Sequence, residues 1–380
     1  MATTLDTVVI GGGAMGSATA WALSRQGRQV TLLEQFGPGH KIGASHGTTR
    51  NLNLGYSRPE YVAMLGETLK LWAELEQESG DKILDRTGMA NHGPDPRFPD
   101  IAAALSQAGI RAKFLSPDEA KERWRGIRFD EKVLYMPDGG QLNPEKALPA
   151  FQRLAIANGS EVRHHTKVVD LQINEGSVRL TLESPSGSEV VTANQAVVTA
   201  GAWTEKVLGG ALARTGARLP ELRVTQEQPA HFRVVDEGAT WPGFNHHRGF
   251  GDEYKYWYTP IYGMQTPGEG IKAGWHGVGP VVDPDRRSFL PEPVQLAALQ
   301  EYARNWLPGV DADSLEAVSC TYTSTRTEDY ILDRVGPVII GAGFSGTGFK
   351  FVPVIGRILA DLATGKQAAP EVFRLARLTV

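Results

Sequence analysis

At 380 residues the chain exceeds the usual size of one domain, and its 41% hydrophobic residues suffice for two cores. Its 39 basic and 43 acidic residues leave a net charge of −4, which gives no electrostatic footprint for nucleic acid or an anionic membrane. No run reaches the roughly 18 apolar residues of a membrane span, and one cysteine excludes an internal disulfide; a small-molecule partner, a cytoplasmic setting and no metal are expected.

The opening "MATTLDTVVIGGG" has no basic n-region and runs straight into glycines, so it is read as the start of a fold and not as a leader. "DTVVIGGGAMGSATAWALSRQGRQVTLLEQ" predicts strand, helix and strand: a β-branched run at 7–10, a helix over 14–26 stopped by Gly27, and a second strand ending in Glu34 and Gln35. Gly11, Gly13 and Gly16 fit G-x-G-x-x-G. The first allows the tight turn, the second lets backbone approach a pyrophosphate, and the third lets the helix pack on the strand. Ala14 and Met15 then open a helix whose N-terminus faces the phosphates. A glycine-rich turn without a ligand would not need Glu34, which lies 18 residues beyond Gly16 and suits ribose hydroxyls rather than a 2′-phosphate.

Next comes "GASHGTTRNLNLGY" at 43–56, which holds Ser45, His46, Thr49, Arg50 and Asn53 among small polar residues. Helical periodicity follows at 57–80, then two short helices over 101–125, the second opened by a capping box of Ser116 and Glu119. "EVRHHTKVVDLQI", containing Val168, "SVRLTLES" and "NQAVVTAGAW", ending in Gly201 and Trp203, predict strands joined by turns. Residues 220–290 are rich in aromatics and alternate like sheet. Within them, "GIKAGWH" as a strand puts Lys272, Gly274 and His276 on one face, the outer two roughly 13 Å apart. Read alone, Lys272 is an edge gatekeeper. "RVGPVIIGAGFSGTGFKFVPVIGRILADLATGK" predicts a strand, a second glycine-rich loop at 341–348 and an amphipathic helix ending near Gly365. Lys350 stands at that helix start between Phe349 and Phe351, where the dipole disfavours a cation, so an anionic group is expected to meet it. The simplest architecture is α/β: a Rossmann-like nucleotide domain (1–85, 145–215 and 315–380) interrupted by a mainly antiparallel substrate domain (86–144 and 216–314).

"VVIGGGAMGSATAWALSRQG", "SHGTTR", "LKLWAELE", "AGAW", "GIKAGWH", "SCTYTSTRTEDYILD" and "GAGFSGTGFKF", in this order, resemble the monomeric sarcosine oxidase and N-methyltryptophan oxidase family. Only about 90–135 and 210–250 fall outside the resemblance. It implies a D-amino acid oxidase-like fold, a monomer and bound FAD. The implied reaction oxidises the C–N bond of a secondary amine and converts dioxygen to hydrogen peroxide. It brings the flavin against the first glycine loop and the acids around Glu34, against Ser45, His46, Thr49 and Arg50, against Val168, Gly201 and Trp203, and against Gly343, Phe344, Gly346, Gly348, Phe349 and Lys350.

The resemblance also assigns roles. Arg50 and the helix start near Lys350 stabilise negative charge on the ring, though an arginine there also pins a loop. His46 lies against the ring, as a catalytic group or as a packed histidine. Lys272 corresponds to the lysine that activates dioxygen, and His276 to a pocket histidine. Cys320, in "C-x-Y-T", corresponds to the cysteine that forms a thioether to the flavin 8α-methyl carbon; the alternative is a small buried hydrophobe. Tyr256, Trp257 and Tyr258 are read as the aromatic wall of the substrate pocket, with core packing as the alternative for each. Asn53 departs from the family, which has there an arginine that clamps the substrate carboxylate together with the lysine matching Lys350. That departure puts the substrate in question and favours one that is bulkier or carries a hydroxyl or amide, unless Arg58 or Arg326 restores the clamp. Rival activities are a primary-amine or D-amino acid oxidase, or a flavin dehydrogenase with another electron acceptor. A non-catalytic dinucleotide-binding regulator would leave Lys272, Cys320 and Lys350 without a reason.

Overall fold

The apolar run at 8–10 lies in the strand Thr4–Ile10 (β1), whose last four residues are all buried. A strand covered on both faces reads as a continuous apolar run because it belongs to a parallel sheet: β1 pairs in parallel with Val30–Leu33 (β2) on one side and Gly187–Val198 on the other. A computed structural model describes residues 4–248 and 255–378. The crossover from β1 to β2 is the helix Ala14–Arg25 (α1). Its close approach to the sheet depends on two glycines. A Cβ at Gly16 would fall 1.9 Å from the Gly11 carbonyl oxygen, and Gly11 itself has φ of +102° beside the Thr199 carbonyl.

The first sheet has eight strands. Its main path runs Lys167–Asn174, Ser177–Ser184, Gly187–Val198, β1, β2, Glu161–Arg163, with Val338–Ala342 and Ile331–Val335 joined at Gly187–Val198. The expected single strand over "EVRHHTKVVDLQI" is therefore two, at opposite ends of that path. The chain breaks at His165, which adopts φ of 53° while the amides of His165 and Thr166 bond the Phe36 and Glu34 carbonyls. "NQAVVTAGAW" stops being strand at Val198, and Gly201–Trp203 forms a 3₁₀ turn.

The second sheet also has eight strands, in the order Val310–Ala317, Ala230–Val234, Gly270–Trp275, Ile261–Thr266, Gly243–His246, Met89–His92, Val133–Met136, Lys113–Leu115. All neighbours are antiparallel except Gly243–His246 with Met89–His92. One face packs Phe232, Phe244, Trp257, Trp275, Tyr302 and Trp306. The capping box at Ser116 and Glu119 forms as read. Two smaller pairings join the sheets: Arg223–Glu227 with Cys320–Ser324, and Arg50–Leu52 (β3) with Gly140–Leu142, which also holds Leu84–Asp85. Among the described residues no helix is long and apolar enough to cross a membrane, and no cluster of three His, Cys, Asp or Glu side chains is placed to hold a metal ion.

Helix Val352–Thr364 crosses α1 at Gly356, where a Cβ would meet the Ala18 backbone at 2.7 Å. Gly66, inside the helix Pro59–Ser79 (α2), has open space around it. One substitution thus has opposite signs at two sites. Gly356→Ala should cost about 1–3 kcal/mol through overpacking, whereas Gly66→Ala should gain about 1 kcal/mol of helix propensity. Urea midpoints of the two variants against wild type check both signs.

Candidate active site

The helix α1 begins at Gly13, which has no side chain to cap the first turn; a Cβ there would lie 3.1 Å from Ser45 Oγ. Ser45 Oγ accepts from the Ala14 amide at 3.0 Å, and Glu34 at the end of β2 braces the loop, Oε2 accepting from Gly12 N (2.8 Å) and Oε1 from Phe36 N (2.9 Å). Two carboxylate oxygens carry about four acceptor sites, so Glu34 keeps capacity for further donors. Gln35 follows directly in the chain. Val168 is buried at a bulge in Lys167–Asn174. Gly201 takes φ of 54°, and Trp203 donates to Asp285 at 2.6 Å, its ring centroid 5.4 Å from that of Phe36.

The loop before β3 is tied by its own arginine. Arg50 Nη1 donates to Thr49 O (2.8 Å) and Nη2 to Ala44 O (2.8 Å) and His46 O (2.6 Å), with the guanidinium 5.9 Å over the Phe349 ring. Lys272 Nζ donates to the same Thr49 carbonyl at 2.8 Å, while Thr49 Oγ1 meets Thr266 Oγ1. Two cations thus converge on one peptide oxygen. Burial, then the Arg50 charge, pushes Lys272 down to about 7. Burial and Arg50 likewise push His46 down to about 4; its ring bonds the Ser319 backbone, and its Nε2 is buried without a partner.

Lys350 sits in the turn Phe349–Phe351 just before the helix Val352–Thr364, and donates to Tyr56 Oη (3.0 Å) and Thr347 O (2.6 Å). Its charge, after burial itself, holds His276 at about 4. The His276 ring lies 5.3 Å from Tyr322, which shares a hydrogen bond with Tyr262. The second glycine loop closes on this group. Gly346 has φ of +69°, and a Cβ there would fall 2.2 Å from the Tyr322 ring; one at Gly348 would meet Phe344 and Met15. Gly343 is also left-handed, and Phe344 packs on Tyr330. Cys320 stands two residues before Tyr322 on the ribbon that joins the sheets.

Tyr262 was not legible as a site residue. It pairs with Gly274 in the ladder, and its hydroxyl fills the place a Gly274 side chain would take, 2.8 Å from that Cβ position. The glycine between Lys272 and His276 was the available signal. The aromatic wall expected from Tyr256, Trp257 and Tyr258 does not form as such. Trp257 is fully buried in the core of the second sheet against His246, Trp275, Tyr302 and Trp306, because the large apolar ring has the packing partners there. Tyr256 Oη accepts from Asn305, and Tyr258 sets its edge against Trp275. Asn53 Oδ1 accepts from Gly55 N (2.9 Å) and Asn91 Nδ2 (3.2 Å), and Asn91 in turn accepts from Asn245. Arg58 is held by Asp329 at 2.6 Å and does not restore a clamp beside Asn53.

Around the glycine loops, Arg50, Lys272, Arg287 and Lys350 form no ion pair among the described residues; they donate to carbonyl, hydroxyl and amide oxygens. A bare helix N-terminus, a glycine cradle, a terminal carboxylate and unneutralised cations together fit a dinucleotide whose far end takes on negative charge.

The comparisons agree. The FAD dependent oxidoreductase (DAO) family model matches residues 6–362. Monomeric sarcosine oxidase of Bacillus sp. (strain B-0618) is 33% identical over 383 residues, covering 96% of this chain and 94% of that one. N-methyl-L-tryptophan oxidase of Salmonella agona (strain SL483) is 29% identical over 391 residues, covering 98% and 99%. The solved structure of NikD, described as an unusual amino acid oxidase essential for nikkomycin biosynthesis, superposes with a TM-score of 0.83 at 26% identity, covering 98% of this chain and 97% of that one. The chain belongs to the FAD-dependent oxidoreductases of the DAO family, among the members that resemble sarcosine oxidase.

Proposed function

We propose that the protein is an oxidase of secondary amines, with FAD linked through Cys320 and dioxygen as electron acceptor. The observation that carries this reading is the convergence of Lys272 and Arg50 on the Thr49 carbonyl. FAD, when bound, takes hydrogen and two electrons from the substrate carbon and passes the electrons to dioxygen. The glycine loop and the start of α1 hold its pyrophosphate, and Glu34 takes ribose hydroxyls. Val168, Gly201 and Trp203 flank it.

The remaining roles follow from charge. Arg50, Lys272 and the chain around Lys350 offer preorganised positive potential where negative charge develops, at no cost of reorganisation during the reaction. His276, held at about 4, is neutral at pH 7 and hydrogen-bonds a substrate amine without repelling it. Tyr262 and Tyr322, whose ionisation burial opposes, remain hydroxyl donors at the pocket wall. Gly55 N–H is an obligate donor and fixes the orientation of Asn53, so Oδ1 is occupied and Nδ2 is the group offered to a substrate. A neutral donor at position 53 lacks the planar fork that grips a carboxylate. The substrate favoured is an N-alkyl amine carrying a hydroxyl or amide acceptor.

Four outcomes are expected. Wild-type protein should be yellow and keep its flavin through acid precipitation, while Cys320→Ser releases it; absorbance of pellet and supernatant decides. Lys272→Met should slow reoxidation of the reduced enzyme by dioxygen about 10²–10³-fold, the cost of losing one preorganised donor, and change anaerobic reduction by substrate far less. Because the Lys272 cation is lost as pH rises through its pKa of about 7, wild-type reoxidation should fall above neutral pH. Stopped-flow rates over pH 6–10 should show this fall in wild type and not in Lys272→Met. Finally, sarcosine should be used tenfold to a hundredfold less efficiently in kcat/KM than the best hydroxyl- or amide-bearing amine, since about 1.4 kcal/mol is tenfold. Asn53→Arg should narrow that gap. Steady-state peroxide assays on both proteins test it.

A further inference from the structure

Two buried charged residues near Cys320 have no part in the chemistry above. Arg287 is 7% exposed and Glu227 is 1% exposed, and among the described residues neither makes an ion pair. A buried charge without a partner of opposite sign is costly, so each calls for a function.

Arg287 reaches the segment that carries the cysteine. Its Nη2 donates to Ser319 Oγ (2.8 Å) and Cys320 O (3.3 Å), its Nη1 to Ile42 O (2.5 Å), and its Nε to Gln226 Oε1 (3.4 Å). The acid whose charge acts on this guanidinium is the Cys320 thiol. Glu227 stands directly across the antiparallel ladder from Cys320, as Thr225 does from Tyr322. Opposed residues in such a ladder share a face with Cβ atoms about 4.5–5.5 Å apart. The Glu227 carboxylate is seated deliberately. Thr225 Oγ1 donates to it at 2.5 Å and Gly279 N at 3.2 Å, and a Cβ at Gly279 would sit 2.9 Å from Oε1.

We infer that Glu227 and Arg287 prepare Cys320 for its bond to the flavin: Glu227 takes the thiol proton, and Arg287 holds the peptide and stabilises the thiolate. The inference rests on the reading that Cys320 carries the linkage. The other groups around the cysteine are less suited: Lys272, at about 7, is tied to the Thr49 carbonyl and is assigned to the flavin. His46 is flanked by Arg50, Arg287 and Lys272 and is held at about 4, and Tyr262 and Tyr322 are kept protonated by burial. Burial raises Glu227, which brings a carboxylate closer to the range a proton acceptor needs near neutral pH.

The step balances. The Cys320 S–H bond and one C–H bond of the flavin 8α-methyl group break, and one S–C bond forms. The electron pair and the two protons, one by way of Glu227, end on the flavin as its reduced form. Dioxygen, the acceptor of the proposed function, then oxidises it and leaves as hydrogen peroxide.

The test uses full-length chain from riboflavin-starved cells, as wild type, Glu227→Gln, Arg287→Lys and Arg287→Met, with circular dichroism to establish that each is folded. Two readouts are taken at pH 7: the rate of Cys320 alkylation by iodoacetamide before FAD is added, and the growth of acid-stable flavin afterwards. Glu227→Gln and Arg287→Met should slow both at least tenfold, and Arg287→Lys, which keeps the charge, should recover most of the alkylation rate. Wild-type linkage with variant rates unchanged would overturn the inference and leave the linkage standing. Slowed alkylation with no acid-stable flavin even in wild type would remove the linkage and leave the activation of the thiol. An unfolded Arg287→Met does not decide the matter, because Glu227→Gln and Arg287→Lys preserve shape and charge respectively and carry the same readouts.

Discussion

The site depends on positive charge that the protein declines to neutralise. Arg50, Lys272, Arg287 and Lys350 are held by carbonyls, hydroxyls and amide oxygens, and three of them are less than a tenth exposed. Neutral oxygens orient a cation without cancelling its field, whereas a carboxylate at the same distance would do both. The cost appears inside the protein as the lowered ionisation of Lys272, His46 and His276. It is sustained because backbone from three parts of the fold anchors the cations: the loop before β3 holds Arg50 and Lys272, the segment at 319–320 holds Arg287, and the turn ahead of the helix Val352–Thr364 holds Lys350.

The same economy of side chains shapes the site. Where Tyr262 and Tyr322 lie, the opposing residues are Gly274 and Gly346, and an added Cβ would strike the rings themselves. Glu227 is admitted by Gly279 in the same way. Ring and carboxylate positions in this site are therefore set by backbone approach as much as by their own rotamers.

How much of this could be read from sequence divides along a physical line. The β1–α1–β2 unit is local: its glycines, helix and terminal Glu34 act within a few turns of chain, whereas the strand that carries Lys272 and Gly274 ends at Trp275, one residue short of His276. What depends on pairing was hidden. Trp257 sits in a strand-like aromatic run whose sequence does not say which residue meets the core. The break at His165 is imposed by where β2 ends. Glu227 and Arg287 acquire meaning only once the ladder sets Glu227 opposite Cys320 and the chain brings Arg287 to Ser319. Their types gave no sign of it, since a glutamate in "RVTQE" and an arginine in "DPDRRSF" read equally well as solvated.

One field can then serve two occasions. Before the proposed linkage forms, Cys320 favours the charged forms of Lys272 and Arg287. A thioether has no proton to lose, so a sulfur bonded to the flavin would no longer support the cations in this way. Their potential would then be available to negative charge on the ring, where the proposed function has Lys272 act on dioxygen. The order follows from electrostatics: a site arranged to bind an anion at the sulfur first becomes, by that very bond, a site with its positive potential free for the flavin.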